Sequence, residues 1–318
     1  MLARSLLSDG YRVIGTVTDL QASRQAFVTY IPDAEIRVLD VRDRVGLRNL
    51  LSEERPDEIY NLASWSSVGL SWSHPWQVTE VNGLAVLGLL EEVLALRRAS
   101  GYEPRILQAS SSEMFGLVKE LPQHEGSPHH PRSPYATAKS FAHHTAVNYR
   151  ESYGVFVSTA ILFNHESPLR PRRFVTRKVT AAVAAIALGQ QDTLSLGRID
   201  VRRDWGAASD YVEAMRLALG RDVADDYCIA TGVSHSLEDF VEAAFAAAGV
   251  TDGMSRIVTD PALLRPADVP ETRGDPRKAE NLLGWRPRRS FAEVVDWMVR
   301  ADLDRLSSGR EEDPAYLA

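Results

Sequence analysis

The chain has 318 residues, 44% hydrophobic and 25% charged, with 36 lysines and arginines against 43 aspartates and glutamates and a formal net charge of −7. Such a composition fits one large or two modest globular domains and excludes disordered, collagen-like and disulfide-scaffold classes. The acidic balance, without a long basic block, argues against non-specific nucleic-acid binding, and the lack of an apolar run near about 18 residues or a signal-like start leads to the expectation of a cytoplasmic protein with no membrane partner.

In chain order, Leu2, Leu6 and Leu7 recur at helical spacing, Gly10 sits where a helix C-cap belongs, and 11–17 reads as a β-branched strand closed by Asp19. Further strands are predicted at 36–41, 58–63, 105–111 and 155–163, with helices at 44–54, 75–99 and 134–153 between them. That alternation predicts a doubly wound parallel α/β (Rossmann) domain over 1–165. After Asn164 the texture changes to Pro- and Arg-rich loops, with helices at 174–189, 207–219, 236–248 and 290–306 and short strands in "TLSLG" and "YCIATG". A smaller, mostly helical lobe is expected over 166–318, with 205–232 returning to the first domain. The single Cys228 lies in a predicted strand and reads as an apolar core residue.

The sharpest chemical signal is "SPYATAK", where Tyr135 and Lys139 are four apart and share one helix face. An ammonium near a phenol favours the phenolate, so the pair predicts a Tyr135 pKa lowered towards neutrality and a role as general base or acid. Just upstream, "QASSSEMFG" puts Ser110, Ser111, Ser112 and Glu113 at the carboxyl end of a predicted parallel strand, where such sheets bind their ligands. The histidine pairs at 129–130 and 143–144 lack carboxylate or cysteine partners at metal-ligand spacing and read as loop and helix-face residues, so no metal site is expected. The arginines of 170–173 suit small anions such as phosphates as well as they suit solvated loops.

"YNLASWSSVGLSW", "QASSSEMFG", "PRSPYATAK", "ILFNHESP", "FVTRKVT", "RRDWGAASDYV" and "GDPRKAENLLGWRP" occur in the order and approximate spacing of the extended short-chain dehydrogenase/reductase superfamily, and within it the sequence resembles the GDP-mannose 4,6-dehydratase family. The resemblance covers nearly the whole chain; "LFNHESP", "FVTRK" and "RDWG" are more specific to that family than Tyr-x-x-x-Lys. It implies a nucleotide-sugar substrate and an NAD or NADP cofactor. By position, Ser111 would hydrogen-bond the sugar 4-hydroxyl, Tyr135 would take its proton, and Lys139 would tune Tyr135 and hold the nicotinamide ribose. Glu113 would take the C5 proton while water leaves C6, which separates a dehydratase from a simple dehydrogenase. The resemblance also points to Ser112, Asn164, Lys178, Arg203 and Arg265 for the nucleotide sugar, with the two arginines near its diphosphate, and to Asp19, Asp40, Leu62, Ala63 and His165 for the cofactor.

The sequence departs from the family at four places. The glycine-rich G-x-x-G-x-x-G turn would lie before the first residue, so the expectation is that the reading frame upstream of Met1 encodes a β-rich run with that turn. Thr18 and Asp19 stand where the family carries two arginines for the NADP 2′-phosphate; an aspartate there favours NAD, although Arg24 is near enough in sequence to swing in. The loop "LQASRQAFVTYIPDAE" is short, which argues for a homodimer rather than a tetramer. Arg172 replaces a glutamate and Arg198 an asparagine in the substrate lobe. Two other readings stay open: an epimerase, decarboxylase or 4-keto reductase of the same superfamily, against which Glu113 partly argues, and a catalytically silent fold remnant.

Overall fold

A computed structural model describes residues 1–21, 24–117, 120–263 and 268–317. The first part runs α1 (Leu2–Ser8), β1 (Ile14–Val17), α2 (Arg24–Tyr30), β2 (Glu35–Val38), α3 (Arg44–Glu54), β3 (Glu58–Asn61), α4 (Val68–Ser71) and α5 (Pro75–Thr79). It continues through a π-helical turn (Glu80–Leu84) into α6 (Ala85–Ser100), then β4 (Arg105–Ser111), α7 (Pro134–Tyr153), β5 (Val157–Leu162) and β6 (Asn164–Glu166). The remainder is α8 (Val175–Ala187), β7 (Leu194–Leu196), β8 (Arg202–Ala207), α9 (Ala208–Leu219), β9 (Asp226–Ile229), β10 (Ser234–Ser236), α10 (Leu237–Ala247), β11 (Ile257–Thr259), α11 (Arg277–Leu283) and α12 (Phe291–Ser308).

The central sheet is parallel, in the order β3-β4-β5-β9, and β1 and β2 form a second parallel pair. Its middle strands, β4 and β5, are buried almost end to end, because helices cover the sheet on both faces. On one face α3, α6 and α7 close a core around Leu90, Val93, Ile106 and Val157. On the other, α9 and α11 cover Leu107, Ile161 and Cys228, so the single thiol lies in the core. A separate core joins α8, α10 and α12 to β7 and β8 around Phe240, Trp205 and Met298.

Three differences from the sequence reading matter for the site. The helix predicted at 75–99 is broken at the π-helical turn, and there the buried Asn82 holds the Trp65 backbone from both sides, accepting from its N–H at 2.8 Å and donating to its carbonyl at 3.1 Å. That clasp fixes the loop after β3. Strand β8 escaped prediction because its "RRD" start looks like loop charge. In the fold Asp204 is fully buried and accepts from Thr231 N at 2.8 Å, Thr231 Oγ1 at 2.7 Å, Gly232 N at 3.0 Å and Gly274 N at 3.2 Å, so the carboxylate ties three segments together. Finally, His143 is not a face residue: it is buried between α7 and the sheet.

Candidate active site

The carboxyl end of β4 runs into a single 3₁₀ turn over Ser112–Met114, with Ser111 as its N-cap, and this hands Ser111, Ser112 and Glu113 to the mouth of the sheet. Gly116 closes the turn at φ +56; a Cβ there would stand 1.9 Å from the His130 carbonyl oxygen, so only glycine lets the chain bring that segment so close. Helix α7 starts at the same level: Ser133 accepts from Ala136 N at 3.1 Å and Pro134 takes the first helical position. Tyr135 follows at once and Lys139 one turn later, both buried.

A cavity of about 620 Å³ opens here. Ser111, Ser112, Glu113, Tyr135 and Lys139 line it together with Leu62, Asn164, His165, Lys178 and Arg203. Those sequence-predicted residues converge. Asp19, Asp40 and Ala63 are not in its wall, and Arg265 lies outside the described residues. Asp40 is instead clamped by Arg42, whose guanidinium meets both carboxylate oxygens, at 2.6 Å for the closest, and this holds the carboxyl below its usual range.

The electrostatics overturn one expectation. Lys139 Nζ donates to the Ala109 carbonyl at 3.0 Å, and burial lowers its pKa to about 8. The Tyr135 pKa is raised, not lowered: burial dominates, and the Glu113 charge adds to it, while the Ser111 hydroxyl, the Arg170 charge and the Ser64 hydroxyl pull the other way. The cation whose field reaches the phenol is therefore Arg170. Sequence reasoning passed over it as one of a loop cluster; its signal is its position four residues after Glu166, with which it pairs at 3.3 Å in the fold. Its guanidinium also lies 3.8 Å over the Phe174 ring.

His165 is neutral, its pKa lowered to about 4 by burial and by Arg170. Its Nδ1 lies 2.9 Å from the Phe163 carbonyl, which can only accept, so the proton sits on Nδ1; the ring stacks on Tyr211 at 5.1 Å. Arg203 is buried and donates to the Arg202 and Val269 carbonyls, each at 2.8 Å. Ser64, Ser66 and Ser67 also line the cavity and were missed, though they follow β3 as the predicted serines follow β4 and obey the same strand-end rule. Of the two departures in the substrate lobe, Arg198 lines the cavity, held by Asp200 at 2.6 Å, whereas Arg172 faces a neighbouring groove on α8.

The wall suits the nicotinamide end of a dinucleotide: a phenol, an ammonium and serine hydroxyls converge beside the Arg170 guanidinium. Among the described residues no group of three or more histidines, cysteines, aspartates or glutamates could hold a metal ion, and no helix is long and apolar enough to cross a membrane.

The profile of the family described as GDP-mannose 4,6 dehydratase matches residues 1–298. A "GDP-mannose 4,6-dehydratase" of Sinorhizobium fredii is 40% identical over 334 residues, covering 98% of this chain and 95% of that protein. Among solved structures, a UDP-glucose 4-epimerase of Thermus thermophilus in complex with NAD superimposes with a TM-score of 0.81 at 26% identity, over 95% of this chain and 94% of its own. The RMD protein of Pseudomonas aeruginosa, complexed with NADPH, gives a TM-score of 0.77 at 25% identity, over 93% of this chain and all of its own.

Proposed function

The chain belongs to the GDP-mannose 4,6-dehydratase family, and from that membership we propose that it converts GDP-mannose to GDP-4-keto-6-deoxymannose with a nicotinamide dinucleotide as cofactor. The observation that carries this reading is the sharing of one cavity by two separate proton-handling groups, the Tyr135 phenol and the Glu113 carboxyl. A simple alcohol oxidation needs one such group; a dehydration that starts with oxidation needs two.

Ser111 hydrogen-bonds the sugar 4-hydroxyl and Tyr135 takes its proton; loss of the C4 hydrogen as hydride together with that proton leaves a ketone at C4. The ketone acidifies the C5 hydrogen, and Glu113 removes that proton and protonates the departing C6 hydroxyl, so water leaves. A nicotinamide cofactor held here would accept the C4 hydride and return it to C6, with C5 regaining a proton from solvent, so that no net redox change results. Leu62, Tyr135, Lys139 and His165 are the residues assigned to hold it. Asn164, Lys178, Ser112 and Arg203 are assigned to the nucleotide sugar, Arg203 near the diphosphate. Asp19 lies two residues past β1 and supports NAD over NADP, because its carboxylate repels a 2′-phosphate.

A homodimer is part of the proposal. Trp72, Trp76, Leu84 and Phe141 are large and exposed, at the end of α4 and on α5, the π-helical turn and α7, elements that pack on one another; apolar exposure of that kind favours burial against a second copy.

The deciding experiment incubates the protein with GDP-mannose and NAD or NADP and follows the sugar by NMR. Appearance of a 6-methyl signal with a 4-keto carbon supports the reading. Turnover of another nucleotide sugar, with GDP-mannose untouched, rejects it in favour of a different reaction of the superfamily.

A further inference from the structure

Residues four apart on helix α7 face the carboxyl half of β4. Ser111 and Tyr135 line the same cavity wall, where the serine hydroxyl pulls the phenol's pKa down, the Ala109 carbonyl accepts from Lys139 Nζ at 3.0 Å, and Ser110 Oγ lies 3.1 Å from His143 Nδ1. Three consecutive strand residues thus each engage one residue of positions 135, 139 and 143. The first two of these are the proton-transfer pair; the third has no part in the chemistry above.

His143 is buried and reaches further into the sheet. Its Nδ1 also lies 3.2 Å from Thr159 Oγ1 on β5, and that hydroxyl donates to Asp226 Oδ1 on β9 at 2.7 Å. With its proton committed to Asp226, Thr159 Oγ1 can only accept from the ring, so the imidazole proton is assigned to Nδ1, from where it serves both hydroxyls. Asp226 in turn binds Arg150, two turns further along α7, at 2.9 and 2.7 Å. The helix is therefore pinned to β4, β5 and β9 by one connected polar network.

We propose that His143 is a positioning residue for the proton-transfer centre: by holding Ser110 and Thr159 it fixes the register of α7 on β4, and with it the approach of Tyr135 to Ser111 and of Lys139 to Ala109. The proposal rests on Tyr135 being the proton-transfer group. The charged or titratable groups facing the ring are Asp226 from β9, Arg150 and His144 from α7 and His129 from the preceding loop, with ring centroids 5.4 Å away for His129 and 5.5 Å for His144. Burial is the largest effect and lowers the His143 pKa to about 4, so the ring stays neutral through the working range and its role is geometric.

The test compares His143→Phe, which keeps ring volume and removes the donor, with His143→Asn, whose amide nitrogen can stand in for Nδ1. In His143→Phe, kcat should fall at least about tenfold with KM for the nucleotide sugar within about twofold, and His143→Asn should recover most of the loss. A second readout needs no turnover. With carbon-13 at tyrosine Cζ, the resonance missing from Tyr135→Phe identifies Tyr135, and its titration midpoint should move by about one pH unit in His143→Phe and return in His143→Asn. Unchanged kcat and midpoint in a folded His143→Phe overturn the proposal. So does an activity loss with the midpoint unmoved and no recovery in His143→Asn, which marks a merely structural residue. If His143→Phe does not fold, a wild-type midpoint in His143→Asn sustains the proposal and a shifted one overturns it. Should the wild type leave GDP-mannose untouched, the assignment of substrate fails while the titration still judges His143.

Discussion

Lys139 Nζ and the Ala109 carbonyl oxygen stand 3.0 Å apart, a hydrogen bond that aims the buried ammonium at the strand bearing Ser111. The lysine is thus a strut between α7 and β4 as well as a charge. Its burial has a measurable thermodynamic consequence. The unfolded chain keeps the proton up to the ordinary 10.5 and the folded protein releases it near 8, so between those values the unfolded state binds more protons and stability rises with pH. Below about 8 the buried charge is a constant cost on the order of 3 kcal/mol. Lys139→Met should be more stable than the wild type at pH 7 by about 1–3 kcal/mol, with the gap closing towards pH 10. Urea unfolding at pH 7, 9 and 10 checks this; a gap independent of pH contradicts it.

Tyr135→Phe should lower kcat by about 10²–10⁴ while leaving nucleotide-sugar affinity within a few-fold. The phenol oxygen is one polar atom in a large cavity and contributes little to ground-state binding. Calorimetric titration with GDP-mannose beside a turnover assay measures both, and retained turnover removes Tyr135 from the mechanism.

Glu113→Gln should divide the reaction in two. C4 oxidation needs only Tyr135 and its neighbours, whereas loss of water needs a base at C5, so reduced cofactor and 4-keto sugar should accumulate without 6-deoxy product. Solvent deuterium should no longer enter C5; continued exchange means that another base acts there.

Arg170→Gln should move the rising limb of the kcat/KM profile to higher pH. The arginine charge lowers the Tyr135 pKa, so its removal leaves burial and the Glu113 charge less opposed, and the phenol surrenders its proton later. A limb that stays in place shows that Arg170 does not tune the phenol.

With an aspartate two residues past β1, kcat/KM should favour NAD over NADP by at least about tenfold, and Asp19→Ser should narrow the ratio chiefly by lowering KM for NADP. Initial-rate kinetics with both cofactors decide it, and a preference for NADP in the wild type refutes the assignment.

Much of the fold was legible because each of its signals is local. The apolar run at 155–163 and the helix at 134–153 read correctly as β5 and α7, since burial on both faces of the sheet and the helical period act on neighbouring residues. Strand β8 did not, because Asp204 looks like solvent-facing charge until Thr231, Gly232 and Gly274 bring their donors to it.

The sequence by itself determined the parts that chemistry requires: a hydroxyl-and-carboxyl turn at a strand end, and a tyrosine and lysine on one helix face. Spacing along a helix is enough to fix which side chains share a side. Tertiary structure alone decided what those parts feel. Which cation reaches the phenol, whether the lysine turns to the tyrosine or to a carbonyl, and that His143 lies inside the sheet interface rather than on a solvated face all depend on burial and on groups far apart in the chain. Desolvation and through-space charge are set by the packed neighbourhood, and no local pattern carries them.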